Sequence, residues 1–248
     1  MMYSLRYLLW AIFSVLFCWQ MIIYFSSPPT YILPSPYDVI KAFSENFGLI
    51  YGHAVITMTE VILGLIIGIL LGFITALFLE ASNFARLTIR PILIFSQSLP
   101  VFAIAPVLVL WFGYGMGSKV VMAVLIIFFP VTSAFHDGLS QTSKKFLDLA
   151  KTMRGKSSRI LLYIKIPHSV PSLCSGIRLA SVYAPIGAII GEWVGSSQGL
   201  GYLMILANGR VKTDLMFASL FTLGILSILL YGLINFCLNA VAYRYQYR

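Results

Sequence analysis

The run Ala150-Lys151-Thr152-Met153-Arg154-Gly155-Lys156-Ser157 holds the residue types in this 248-residue chain best suited to cradling a phosphate. It matches a relaxed phosphate-loop pattern with Ala in place of the first Gly. A working phosphate loop follows a buried strand and opens a helix inside an α/β domain. Here Lys144 to Ala150 reads as an amphipathic helix, and the segment leaves no room for a sheet. Nucleotide chemistry is therefore not expected in this chain. Hydrolysis is not expected either, since the sequence has no HExxH and no plausible Ser-His-Asp cluster. Cys18, Cys174 and Cys237 form no disulfide framework and no metal spacing, and His53, His136 and His168 are scattered near membrane boundaries. No metal site and no resident cofactor are expected.

The remaining chemistry lies in a few ionisable residues set within apolar sequence. Glu60 and Glu80 fall near the two ends of one apolar stretch, and Arg178 opens another. Glu192 lies deeper, in Gly191-Glu192-Trp193-Val194-Gly195. A carboxylate at membrane depth is costly and is a functional candidate on that ground. The competing reading puts it near the outer headgroups, hydrogen-bonded to a neighbouring helix. The sequence shows no paired carboxylates within the apolar stretches and no Lys or Arg deep in a span.

These residues are positioned by membrane helices. The chain is 59% hydrophobic and 10% charged, with a mean hydropathy of +0.91, so an all-α polytopic membrane protein is expected. A span needs about 20 mostly apolar residues. Stretches near 7–25, 55–79, 89–112, 119–135, 177–195 and 215–243 qualify, which predicts six transmembrane helices. The first is too long for a signal-peptide core and lacks a cleavage site. The last exceeds one span and is expected to tilt or project.

Between the fourth and fifth stretches lies a basic loop, residues 136–175. It carries Lys144, Lys145, Lys151, Arg154, Lys156, Arg159 and Lys165, seven of the seventeen Lys and Arg. With both termini inside, the cytoplasmic face collects these seven together with Arg6, Arg86, Arg90, Arg178, Arg244 and Arg248. The outer face keeps only Lys41, Lys119, Arg210 and Lys212. That asymmetry follows the positive-inside rule and accounts for the net charge of +9 without nucleic-acid binding. Within the loop, Leu147, Leu149, Ala150 and Met153 surround Asp148 as in a short helix, which rests on the membrane surface or docks on a partner. A second amphipathic stretch, Ser157 to Ile166, is expected to end at Pro167 and Pro171.

Glycine and proline punctuate the spans. Gly64, Gly68 and Gly72 in one, and Gly187, Gly191 and Gly195 in another, form small-xxx-small faces for close helix packing, static or moving. Ser26 to Pro36 reads as extended, with a short surface helix over 38–47. Pro100, Pro106, Pro130 and Pro185 break or bend spans, which is tolerated where the bend is buried or lines a cavity.

Taken together, these segments resemble the transmembrane permease of bacterial ABC importers of the nitrate, sulfonate, taurine and pyrimidine-precursor group. The family's cytoplasmic signature is matched by Asp148, Leu149 and Ala150, with Ile166-Pro167 at the expected distance. Arg154 stands where a Gly is expected, and Gly155 comes one residue late. Either the turn shifts by one, or Arg154 takes a conformation usually left to Gly. Leu33-Pro34-Ser35-Pro36, Thr57-Met58-Thr59-Glu60-Val61, Gln97-Ser98-Leu99-Pro100, Ala105-Pro106 and Trp111-Phe112-Gly113-Tyr114-Gly115 match in order. Ala184-Pro185-Ile186-Gly187 and the stretch from Gly191 to Met204 look most like permeases for thiamine-precursor, hydroxymethylpyrimidine-type pyrimidines.

The resemblance implies a single permease domain over 1–248, with a core over 55–243, in the inner membrane. It implies a homodimer, a docked pair of ATP-binding cassette subunits holding ATP and Mg, and an extracytoplasmic solute-binding protein. Asp148, Leu149, Ala150, Met153, Arg154, Gly155 and Pro167 would couple the chain to the ATPase. Gln97, Ser98, Tyr183, Glu192 and Trp193 would line the path. Other substrates the resemblance allows are sulfonate, taurine, nitrate or riboflavin-like solutes. An ion-coupled secondary transporter is the rival from another class, and it would need several intramembrane carboxylates.

Overall fold

Among the residues described by the computed structural model, 2–246, eleven α-helices follow one another with no strand between them. They are α1 (Met2–Ser26), α2 (Pro36–Glu45), α3 (Phe47–Ala81), α4 (Asn83–Ser98), α5 (Val101–Phe112), α6 (Met116–Ser140), α7 (Lys144–Thr152), α8 (Ser157–Ile160), α9 (Ile166–Gly195), α10 (Leu200–Gly209) and α11 (Thr213–Gln246). A π turn, Leu161–Lys165, joins α8 to α9.

α3, α6, α11 and the run Ser157–Gly195 are each long and apolar enough to cross a bilayer. α4 and α5 make a fifth candidate only as a pair, bent by 101° at Leu99-Pro100. The expected span over 89–112 is therefore two helices, with the break at the expected Pro100. Pro100 lacks the N–H that would continue α4, and Leu99 turns to extended backbone. The first expected span, 7–25, falls within α1 (Met2–Ser26).

Another expectation fails at Pro167 and Pro171, which do not end a helix. The chain is helical without interruption from Ser157 to Gly195. Pro167 sits in the first turn of α9, where its missing N–H is tolerated, and the π turn immediately before it absorbs the change in hydrogen-bond register.

The chain forms two compact units. One comprises the residues up to Ile56 together with Gln198–Gly224. Here Ser35 caps α2 in a reciprocal capping box with Asp38, so this helix starts at Pro36 and buries Val39 and Ala42. The Thr213 hydroxyl donates to the Thr30 carbonyl at 2.8 Å, which ties the proline-rich connection to the start of α11. The Gly199 N–H donates to His53 Nδ1 at 2.9 Å. Gly199 has φ +105°, a value that excludes side chains.

The other unit comprises Thr57–Ser197 and the chain from Ile225 onward. Its centre is α6. Val61 and Leu65 of α3, Ala123, Ile127 and Val131 of α6, and Ala180, Ala184 and Ala188 of α9 form one buried cluster. Glycine sets the helix spacing. A Cβ on Gly64 would stand 2.6 Å from the Ala123 Cβ, and one on Gly187 would stand 2.6 Å from the Ala123 Cα. Gly68 and Gly72 meet Ile127 and Val131 in the same way. Lipid tails are as apolar as these side chains, so close van der Waals fit rather than water exclusion holds such helices together.

Candidate functional site

The loop between α6 and α9 is much shorter than 136–175. α6 runs on to Ser140 and the next continuous helix starts at Ser157, so only residues 141–156 lie between them, most of them in α7. No residue of α7 is buried. Phe146, Leu149 and Met153 are exposed, Met153 by 76%. Their spacing of three and then four places them on one stripe, and Asp148 is exposed beside Leu149. Phe146 was missed from sequence, although the same spacing would have included it. Leu147 and Ala150 are half-buried.

α7 ends in a Schellman arrangement. The Gly155 N–H donates to the Ala150 carbonyl at 2.9 Å, and the Arg154 N–H donates to the Lys151 carbonyl at 2.8 Å. Arg154 takes the left-handed conformation, φ +54°, that glycine usually supplies at this position. Gly155 is needed for a different reason: a Cβ there would stand 2.8 Å from the Ala150 oxygen.

Glu80 anchors the elements flanking this loop. Its carboxylate accepts from the Lys165 ammonium on the π turn and from Arg86 Nη2 at 3.3 Å, near the start of α4. His136 Nε2, near the end of α6, lies 3.9 Å away. Four elements therefore meet on one carboxylate at the loop end of the unit.

A cleft of about 760 Å³ opens where α4 bends into α5. Gln97, Pro100 and Phe102 line it from the bend, Pro130 and Ser133 from α6, and Tyr183 from α9. Pro130 has no N–H to donate to the Ile126 carbonyl, and Ile126 also lines the cleft. Irregular backbone at membrane depth is stable when it lines a cavity, which accounts for the break at Leu99-Pro100, while α6 stays helical through Pro130. Of the residues expected on the path, Gln97 and Tyr183 line this cleft, while Ser98, Glu192 and Trp193 do not.

Glu192 is elsewhere, and its surroundings contradict one expectation. It is buried, as are Thr57, Glu60 and Lys119. The Thr57 hydroxyl donates to Glu192 Oε1 at 2.6 Å, and Glu60 lies one turn further along the same face of α3 as Thr57. Two intramembrane carboxyls are thus brought together. Lys119, near the start of α6, is only 4% exposed; its ammonium donates to the Tyr114 and Gly115 carbonyls at 2.6 and 2.9 Å. Helix packing brings together residues that lie far apart in sequence, on α3, α6 and α9.

The larger unit thus joins an apolar helix bundle, a broken span beside a cleft and an exposed amphipathic helix outside the spans. A family model described as "Binding-protein-dependent transport system inner membrane component" matches residues 68–247. The chain belongs to this family. A probable ABC transporter permease protein of Haemophilus influenzae is 51% identical over 225 residues, covering 91% of this chain and 92% of the relative. The formylaminopyrimidine transport permease protein ThiX of Halalkalibacterium halodurans is 35% identical over 200 residues, 80% of each chain. The fold also matches a solved amino acid ABC transporter with histidines, with a TM-score of 0.65 at 14% identity, covering 82% of this chain and 96% of that one.

The protein is an ABC importer permease subunit, a multi-pass membrane protein and not an enzyme. Two polar clusters bracket the apolar core of its larger unit. Glu60 and Glu80 are both on α3, and their separation of twenty positions spans about 30 Å at helical rise, the thickness of a bilayer's hydrocarbon core.

Proposed function

We propose that the permease works as a homodimer in the bacterial inner membrane and forms the path for a thiamine-precursor pyrimidine. ATP-binding cassette subunits dock on α7 and hydrolyse ATP with Mg, and an extracytoplasmic binding protein delivers the solute. The observation that carries this reading is α7 itself, a helix with no buried residue that presents Phe146, Leu149 and Met153 beside Asp148. In a free surface helix such a stripe gains nothing in water, whereas in a partner's groove it supplies apolar anchors. Asp148 is the polar anchor, Leu149, Ala150 and Met153 pack into the groove, and Arg154 and Gly155 close the helix behind them. Closure of the ATPase pair moves α7, and the Lys165–Glu80 contact next to Pro167 passes that movement to α3 and α9.

The substrate class rests on the 35% identity to the ThiX relative. A cleft of about 760 Å³ lies within the usual range for small-molecule sites. Phe102, Phe129 and Tyr183 on its walls suit a flat heteroaromatic ring. An ion-coupled carrier is disfavoured because the paired carboxyls do not line the cleft.

Asp148→Ala tests the coupling. Truncating one partner of a buried interfacial charge pair costs about 2–5 kcal/mol, so the variant should insert normally while the ATPase fails to co-purify or hydrolyses ATP without uptake. Normal uptake with an intact complex would rule out α7 as the coupling element. Uptake of labelled hydroxymethylpyrimidine, competed by formylaminopyrimidine and not by taurine, tests the substrate.

A further inference from the structure

We propose that the buried pocket formed by Thr57, Glu60, Lys119 and Glu192 is a proton-binding site, with one resident proton held between the Glu60 and Glu192 carboxyls. The proposal does not depend on the substrate assigned above. It concerns a second site, in the polar cluster at the opposite end of α3 from Glu80.

Three observations lead to it. Thr57 and Glu60 lie one turn apart on the same face of α3, both buried, and the Thr57 hydroxyl donates to Glu192 Oε1 at 2.6 Å, so the Glu60 and Glu192 carboxyls are neighbours in a dry site. An ionised carboxylate only accepts hydrogen bonds, so two such carboxyls side by side need a proton between them. Second, Glu60 is 1% exposed and its Oε2 has no hydrogen-bond partner among the described residues. An unpartnered buried oxygen is far cheaper on a neutral carboxyl than on a carboxylate.

The third observation is charge. The charged groups acting on Glu60 are Glu192 from α9 and Lys119 from α6. With one proton the site holds one carboxylate, one neutral carboxyl and one ammonium, and its net charge is zero. Without the proton it carries an uncompensated negative charge, which a dry interior resists. The site also has room made for it. A Cβ on Gly191 would stand 2.9 Å from the Lys119 Cα and 3.0 Å from its Cγ, so glycine there lets the lysine stem lie against α9.

None of the four residues lines the cleft. The proton is a resident that allows α3, α6 and α9 to be tied together by polar groups.

The test uses the purified full-length protein in lipid nanodiscs. Infrared spectra of the wild type should contain the carbonyl band of a buried protonated carboxyl, shifted in D2O and absent in Glu60→Gln, which keeps the shape and a donor without the proton. The unfolding midpoint of the wild type should fall as pH is raised and the proton leaves, while that of Glu60→Gln stays flat. Lys119→Met, which removes the compensating ammonium, should hold the proton more tightly and carry the decline to higher pH. If Glu60→Gln does not fold, Glu192→Gln serves for the infrared measurement, since either amide removes the need for a shared proton. Loss of the band in that variant supports the proposal. A band that persists in both Gln variants, or an alkaline decline unchanged in Glu60→Gln, overturns it.

Discussion

Arg154 sits at φ +54°, where an L-side chain crowds its own backbone, because the end of α7 needs a left-handed residue to satisfy the Ala150 and Lys151 carbonyls. Relieving that strain is worth about 1 kcal/mol after the extra flexibility of glycine in the unfolded chain is subtracted. Arg154→Gly should therefore slow proteolytic cleavage of the α7–α8 connection and leave the helix end intact. Gly155→Ala should do the reverse, since its Cβ would meet the Ala150 oxygen at 2.8 Å and backbone cannot step aside. Limited proteolysis of the two variants reads both signs. The sequence posed the choice between a shifted turn and a strained arginine but could not decide it. Both positions turn out to be special, Arg154 for its dihedral and Gly155 for its clearance. Asp148 was legible as the only acidic residue between Asp137 and Glu192, while the exposure of Phe146 was not.

At the scale of the helices, Ala123 is held between Gly64 of α3 and Gly187 of α9. Gly64→Ala should destabilise the protein by about 1–3 kcal/mol, because the new methyl points at the Ala123 Cβ inside a packed cluster. The cost should largely disappear in Gly64→Ala/Ala123→Gly, since the second change returns the missing volume; thermal unfolding in detergent measures both. The Glu80 hub makes a second claim. Glu80→Ala leaves Lys165 without its carboxylate in a partly buried setting, a loss of about 3 kcal/mol. A double-mutant cycle with Lys165→Ala should recover part of it if the contact is direct. The glycine faces could be read from sequence because spacing by four is a property of one helix. The pairing of Glu60 with Glu192 could not, because it depends on how α3, α6 and α9 pack. Pro100 was legible as a break, though its 101° angle was not. Pro167 and Pro171 were misread as stops, because a π turn can restore the register that a proline disturbs.

For the whole molecule, the two polar clusters on α3 place the membrane as well as the apolar lengths do, and they argue that α3 crosses it once. The exposed face of α3 between them, including Ile66, Leu70 and Ile74, is apolar, and α11 is almost bare, so lipid or a second copy must cover these surfaces. The isolated permease should neither bind nor hydrolyse ATP, because Lys156 follows helix α7 and not a strand; nucleotide binding abolished by Lys156→Ala would reverse that reading. Orientation is a prediction from charge. Placing α7 outside would put thirteen of the seventeen Lys and Arg on the outer face, against the bias that sets membrane insertion. With α7 inside, the Glu80 cluster lies at the cytoplasmic interface and Lys41, Arg210 and Lys212 lie outside. Cys18, Cys174 and Cys237 must first be replaced, since two of them are exposed. In that background, an impermeant thiol reagent added to sealed cells should label cysteines placed at Lys41 and Lys212. It should label Lys156→Cys only after the membrane is opened. Labelling of Lys156→Cys in intact cells would invert the topology and with it the assignment of α7 to an ATPase on the cytoplasmic side.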